Sequence, residues 1–440
     1  MNARLRIAFF VHEFPALSET FVLNQITGLM DLGHEITIFA VRGRQDPFVQ
    51  PDVVHYGLKE RTRYLRMPRH WGARISAAAV LFLRHARRRF GTMLCCLDVR
   101  RYGRDAASLR LFYWATQLFD EEPFDVIHCH FGPIGKFVAK LRDADALAGR
   151  LVTVFHGIDV SAYVRDRPDY YRSLFAVGDL FLPISRTWQS KLIELGCDPC
   201  RTAVHRMGVN VHRYPFQFRR YEPNRPFRIL TVGRMVEKKG IEYGLRAIAE
   251  LIRQGVSVHY ALVGDGPLRA GLENLVRALG ITTCVRFLGW QDQVAVSALM
   301  EASDVLLAPS VTTAEGDQEG IPVTLMEAMA SGLLVVATAH SGIPELVKHD
   351  HSGLLVPERD VPALVGTLIH LIHTPDSWPR MSLAARERVL DEFEVTKLNE
   401  ALVRRYQTLL ALPGLHRPTE DKSPDEAAPP RALVESQAPH

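Results

Sequence analysis

The chain has 440 residues, 47% hydrophobic and 23% charged, with a formal net charge of +4. A single core stops growing near about 250–300 residues, so two domains are expected. No run of about 18 uncharged apolar residues occurs, which leaves no transmembrane helix. The six cysteines are scattered, and Cys197-Asp-Pro-Cys200 has no second Cys/His pair nearby, so neither a disulfide framework nor a zinc site is expected. A cytoplasmic location fits.

In chain order, Arg6–Val11 reads as a buried strand. His12 and Glu13 interrupt it too early for a signal peptide. A helix is predicted over Glu19–Leu32, with Ser18 as its N-cap and Glu19 and Thr20 in its first turn. A strand follows at Ile36–Val41. Between Lys59 and Arg104 stand thirteen lysines and arginines, opposed only by Glu60 and Asp98. The apolar stretch Ile75–Leu83 lies within that block, next to Trp71 and Phe90, and a helix is predicted over Ile75–Phe90. Basic residues bracketing an amphipathic helix read as a surface for anionic lipid or as a solvated helix face. A nucleic-acid surface is disfavoured, because no aromatics are interleaved as stacking platforms.

Helix Ala106–Phe119, strand Asp125–His130, helix Gly135–Arg142 and strand Val152–Phe155 come next. Helix Tyr170–Ala176, strand Leu180–Ile184 and helix Arg186–Leu195 complete the first half, and Pro215–Pro226 reads as a linker. The second half opens on strand Phe227–Val232. Helix Gly240–Gln254, strand Val258–Val263, helix Leu268–Leu279, strand Val285–Leu288, helix Ala295–Ala302 and strand Val305–Ala308 follow. Strands Leu334–Ala337 and Gly353–Val356 and helices Val361–Thr374 and Pro379–Leu410 close the fold. Repeated strand–helix units imply parallel sheets covered on both faces, an α/β architecture. The expected divisions are residues 1–215, 216–390, a final helical segment over 391–411, and a disordered tail over 412–440.

The most informative run is Glu315-Gly-Asp-Gln-Glu319-Gly-Ile-Pro-Val-Thr-Leu-Met-Glu327. Pro322 suits a first helical turn, and Gly332 a stop. On one helix the two glutamates would lie within roughly 80° of each other about the axis. A helix N-terminus gathers anions. An acidic pair there suits a ligand with a phosphate between two polyols, as in a nucleotide sugar; a solvated acidic helix start is the alternative.

This run resembles the E-x7-E signature of GT4-type retaining glycosyltransferases, which have the GT-B fold: two Rossmann-like domains facing each other across a cleft. The resemblance extends to Thr231–Gly240, Leu262–Pro267, Phe287–Trp290, Val335–Glu345, Asp125–Gly132 and Phe155–Asp159. It spans about residues 5–408, and the turn Phe14-Pro-Ala-Leu-Ser18-Glu19-Thr20 looks like the exopolysaccharide branch, including colanic acid glycosyltransferases. It implies that the final segment, 391–411, returns to the first domain. It also implies sugar transfer from a nucleotide-diphosphate sugar to a lipid-linked glycan without a cofactor; the basic block adds the expectation of the inner face of the plasma membrane, with no nucleic acid.

By the same resemblance, Arg234 and Lys239 hold the diphosphate, and Gly233, Gly264 and Gly289 let the donor approach closely. The Gly320 and Ile321 amides contact sugar or phosphate, Glu327 the ribose, and Glu319 the sugar near its reacting carbon. His156 faces the donor sugar, with Asp159 in its shell. Ser18, Glu19 and Thr20 suit acceptor hydroxyls. His128, His130 and His156 could imitate a metal set, but the family works without metal. The implied chemistry is front-face transfer; a covalent intermediate on Glu319 is the other route. A nucleotide-sugar epimerase and a non-catalytic assembly protein are the competing functions.

Overall fold

The computed structural model describes residues 4–16, 19–43, 50–222 and 225–412. Ser18 and the tail beyond Leu412 lie outside the described residues. Among the described residues, twelve strands form two parallel sheets. The first comprises β1 (Arg6–Glu13), β2 (Glu35–Arg42), β3 (Thr62–Tyr64), β4 (Val126–His130), β5 (Arg150–Phe155) and β6 (Leu180–Pro183). The second comprises β7 (Phe227–Val232), β8 (Val258–Val263), β9 (Val285–Gly289), β10 (Val305–Ala308), β11 (Leu334–Thr338) and β12 (Leu354–Val356).

The strand orders are β3-β2-β1-β4-β5-β6 and β12-β11-β10-β7-β8-β9. Each is the doubly wound order, in which the chain reverses direction across the sheet between two central strands. Those switch points lie between β1 and β4 and between β7 and β10. There the strands' carboxyl ends leave a crevice, the place where such sheets bind ligands.

The central strands form because their residues are largely apolar, as in Val305–Ala308 and Leu334–Thr338. Val305 and Leu307 pack into one core cluster while Leu306 packs into another, and Leu334 and Val336 likewise oppose Val335 and Ala337. Alternate side chains leave opposite faces of a strand, so both faces of the second sheet are buried. The first half has its own core, centred on Phe9, Phe10, Phe39 and Phe155.

Three helices and one strand depart most from the sequence reading. The basic-block helix runs longer, Trp71–Cys96, with a non-helical Arg89 (φ −134°, ψ 28°). The helix expected over Ala106–Phe119 is interrupted at Leu109, which sits at φ 60°. β3 falls inside the basic block, where its polar sequence Thr-Arg-Tyr hides an edge strand. The long final helix is two, Trp378–Glu392 and Val395–Ala411. Between them Phe393 and Val395 bond the backbone of Val209 at 2.9 and 3.1 Å.

Helix Val395–Ala411 packs on helix Thr20–Asp31 of the first half. Leu402, Val403, Tyr406 and Leu409 join the first core, where each buried leucine contributes about 1.5–3 kcal/mol. Tyr406 Oη lies 2.7 Å from His128 Nδ1. Helix Val395–Ala411 therefore returns the chain from the second half to the first.

The basic block is less unbalanced than its sequence. Glu121 pairs with Arg63 at 3.0 Å, and Asp143 with Arg101 at 2.7 Å. Arg74 donates to the carbonyls of Pro68 and Ser108, and Arg89 lies over the Phe119 ring. Arg84, Arg87 and Arg88 remain exposed, beside the exposed apolar side chains of Trp71, Ile75, Val80, Leu83, Phe90 and Leu94. No helix among the described residues is long and apolar enough to cross a membrane.

Candidate active site

The two glutamates do not share a helix. The helix is Val323–Ser331, with Pro322 as its N-cap (φ −61°, ψ 124°). Proline also drives the residue before it out of helical geometry. Glu319 therefore stands in the loop before the helix, and Glu327 on the helix proper. What brings Glu319 to the site is its loop rather than helical phase.

Glu319 is buried; its Oε2 pairs with Lys239 Nζ at 3.1 Å, and its Oε1 lies 3.9 Å from Lys238 Nζ. Burial opposes ionisation of Glu319, but Lys239 and Lys238 outweigh it and hold its carboxyl below the usual range. Lys239 lies in a short turn at Glu237–Lys239, just after β7, and its side chain crosses Gly233. Arg234 is exposed and forms no ion pair among the described residues. Two cations thus stand at the second switch point, one already neutralised and one free.

The loops after β7, β8 and β9 are joined by backbone. Gly264 donates its N–H to Gly289 at 2.7 Å. Gly264 sits at φ +118°, and a Cβ there would come 2.1 Å from the Gly233 carbonyl oxygen. Only glycine allows that approach. Gly289 follows at φ +67°.

Glu327 is half-buried and accepts the Tyr214 hydroxyl at 2.8 Å, and Gln293 Nε2 lies 3.0 Å from that hydroxyl. Burial raises the Glu327 pKa, and the Tyr214 bond works against the rise. Tyr214 and Gln293 were not expected from sequence. They lie 113 and 34 positions away, and no local pattern links them.

The first sheet meets this loop directly. A Cβ on Gly320 would lie 2.5 Å from the His156 carbonyl oxygen, and one on Gly157 3.3 Å from the Gly320 nitrogen. His156 and Glu319 are thereby brought to one place. The N–H groups of Gly320 and Ile321 have no hydrogen-bond partner among the described residues. They remain available to an oxygen-rich ligand.

The His156 ring is turned inward, between Phe21 and Phe131, with Nε2 at 3.0 Å from His130 Nδ1. Burial drives its pKa down to about 3, so it is neutral at ordinary pH. Asp159 does not touch the ring. Its carboxylate accepts the backbone N–H groups of His156, Gly157 and Gly132 at 2.9–3.0 Å, shaping the loop. His128, His130 and His156 form no metal-binding group among the described residues.

Glu19, not Ser18, takes the cap position of helix Thr20–Asp31, and its side chain makes no cap bond. Burial and then the Glu13 carboxylate push its pKa up to about 7. With Thr20 opening the helix, this acid lies at the first switch point, two residues before the Phe21 that packs on His156.

The buried histidines give an acid-stability prediction. Burial depresses His156 and His205 to about 3 and places His128 and His130 well below their ordinary value. Unfolded histidines titrate near about 6.5, so between there and about pH 3 the unfolded chain binds more protons. Their stabilisation is complete above about pH 6.5 and is lost as pH falls, by about 1.4 kcal/mol per pH unit for each histidine. The melting temperature should therefore fall between about pH 6.5 and 5, less steeply in His205→Asn. Parallel profiles for the two proteins would refute this.

Residues 18–213 match Glycosyltransferase Family 4, and residues 215–388 match Glycosyl transferases group 1. The chain is 38% identical over 411 residues to a putative colanic acid biosynthesis glycosyltransferase of Escherichia coli (strain K12), covering 92% of this chain and 100% of that one. It is also 38% identical over 393 residues to the amylovoran biosynthesis glycosyltransferase of Erwinia amylovora, covering 88% and 96%. Among solved structures it resembles Anabaena HepE in complex with UDP and glucose, with TM-score 0.67 at 18% identity, over 92% of this chain and 100% of that one.

Proposed function

The chain belongs to the glycosyltransferases that join a family 4 domain to a group 1 domain, and on that premise we propose that it transfers a sugar, with retained configuration, from a nucleoside diphosphate donor to a glycan acceptor in polysaccharide assembly. The observation that carries this reading is the Lys239–Glu319 pair, 3.1 Å apart at the second switch point and covered by His156 and Gly157 of the first half. The relatives named for colanic acid and amylovoran synthesis support the polysaccharide role. The fold neighbour holding UDP and glucose supports a nucleotide donor.

In this reading the diphosphate lies against Arg234, Lys239 and the free N–H groups of Gly320 and Ile321. Negative charge grows on the departing phosphate, and fixed donors offset it without reorganising. The acceptor hydroxyl attacks the anomeric carbon on the face the diphosphate leaves. Its proton passes to the leaving phosphate oxygen as the sugar–phosphate bond breaks and the glycosidic bond forms. Glu319 holds sugar hydroxyls near that carbon, and Glu327 holds the ribose. Neutral His156 positions the sugar. Glu19, with a pKa of about 7, can both donate to and accept from acceptor hydroxyls, next to Thr20.

Mass spectrometry of products from UDP- and GDP-sugars with lipid-linked acceptors tests the function. An acceptor heavier by one glycosyl unit is the expected product. Donor turnover at an equal rate without acceptor would point instead to an epimerase.

A lipid-linked acceptor places the enzyme at a membrane. The Trp71–Cys96 helix suits the cytoplasmic surface of an anionic bilayer, with its exposed apolar side chains in the interface and Arg84, Arg87 and Arg88 at the headgroups. Each such arginine contributes about 1 kcal/mol near the surface, and salt screens it. Changing these three to Gln should weaken binding to anionic vesicles by up to roughly a hundredfold at low salt. Activity on a short soluble acceptor should persist. Salt-insensitive binding, equal in the variant, would make this a solvated helix face.

A further inference from the structure

The loop that delivers Glu319 is held by a histidine with no role expected from the sequence. His340 follows β11 and is wholly buried. Its Nε2 accepts the backbone N–H of Glu319 at 3.0 Å, and its Nδ1 lies 2.6 Å from Oε1 of Glu358, just beyond β12. An amide N–H can only donate. Nε2 is therefore bare, and Nδ1 carries the proton and donates it to the carboxylate.

Glu358 is itself anchored. It accepts the Thr312 N–H at 2.8 Å, and the Thr312 hydroxyl accepts from Gln318 Nε2 at 3.0 Å. Burial opposes ionisation of Glu358, but the Thr312 N–H and His340 outweigh it and keep the carboxyl below its usual range. Loops following three neighbouring strands, β10, β11 and β12, thus converge on the residue before Gly320.

From this geometry we propose that His340, locked by Glu358 as the Nδ1–H tautomer, is a positioning residue for sugar transfer that fixes the Glu319 backbone and so aims its carboxylate. The proposal rests on Glu319 acting at the donor sugar. Without an acceptor, the buried Glu319 N–H must shift to find water. A displacement of about 1 Å at a reacting centre costs about a hundredfold in rate.

Three variants of the full chain test this. His340→Leu removes the acceptor. His340→Gln keeps an amide oxygen near the Nε2 position. Glu358→Gln keeps the shape but loses the charge that selects the tautomer. His340→Leu should lower kcat about 30- to 100-fold, with KM for the donor and Kd for the nucleoside diphosphate changed less than about threefold. His340→Gln should recover at least about tenfold of that loss. A purely structural role would lower the melting temperature without separating kcat from KM.

Nitrogen-15 NMR of histidine-labelled protein, with the His340 signal assigned by its loss in His340→Gln, should show Nε2 bare and Nδ1 protonated. Should His340→Leu fail to fold, that measurement decides. An Nε2–H tautomer in the wild type overturns the lock. A wild-type kcat in folded His340→Leu, with Glu319→Gln slow, overturns the positioning role. A wild-type rate from Glu319→Gln overturns the reading of Glu319 and this proposal with it.

Discussion

Lys239→Ala is expected to lower kcat/KM for transfer by about 10- to 150-fold, the equivalent of one charge-assisted hydrogen bond to the diphosphate. The loss has a second component. Lys239 lies 3.1 Å from the buried Glu319, whereas the next cation, Lys238, lies 3.9 Å away. Removing Lys239 takes away the main influence holding the Glu319 pKa down, while burial continues to push it up. The carboxyl then protonates at higher pH, so the acid limb of the pH–rate profile should move upward. Arg234→Ala provides the contrast. Arg234 has no ion-pair partner among the described residues, so its loss should lower kcat/KM to a similar degree and leave the acid limb in place. Near wild-type transfer by both single variants would remove the diphosphate clamp from the account.

Exchanging the two glutamates for glutamine should separate chemistry from binding. Glu319→Gln is expected to slow kcat by roughly 100-fold or more, the scale of losing one preorganised electrostatic group. Its affinity for the free nucleoside diphosphate should change little. Glu327→Gln should instead weaken nucleoside diphosphate binding by about 10- to 150-fold, since a charged acceptor of ribose hydroxyls becomes neutral. Tyr214→Phe should fall between Glu327→Gln and wild type, because its hydroxyl bonds the Glu327 carboxylate at 2.8 Å. Calorimetry with UDP and GDP, alongside initial rates, reads both quantities. If Glu319→Gln alone abolished nucleotide binding, the two roles would be reversed.

The sheets were legible because buried parallel strands are largely apolar runs. Val305–Ala308 is apolar at every position and Phe227–Val232 at four of six. The edge strand Thr62–Tyr64 was not, since only one neighbour pairs with it and its residues are polar. Glu319 and Glu327 stood out by their spacing, and these two together with Lys239 and His156 by the resemblance of their short runs to the glycosyltransferase family. Their surroundings did not. The spacing of the glutamates suggested one helix, yet the cap at Pro322 leaves Glu319 in a loop.

His340 reaches Glu319 across 21 positions, and Tyr214 reaches Glu327 across 113, so only the meeting of separate loops reveals either. Asp159 was expected beside the His156 ring and instead serves three backbone N–H groups. The Lys59–Arg104 block looked almost unopposed because Glu121 and Asp143, which pair with it, come later in the chain.

The central claim is that one site, with Lys239 and Glu319 on one wall and His156 on the other, transfers sugar on the face the diphosphate leaves. NMR of the new glycosidic linkage, made from a donor of defined anomeric configuration, tests it most directly. The account predicts that an α-linked donor gives an α-linked product with one nucleoside diphosphate released per linkage, and that Glu319→Gln loses this activity. A β-linked product from the α-donor, or transfer unaffected by Glu319→Gln, would contradict it.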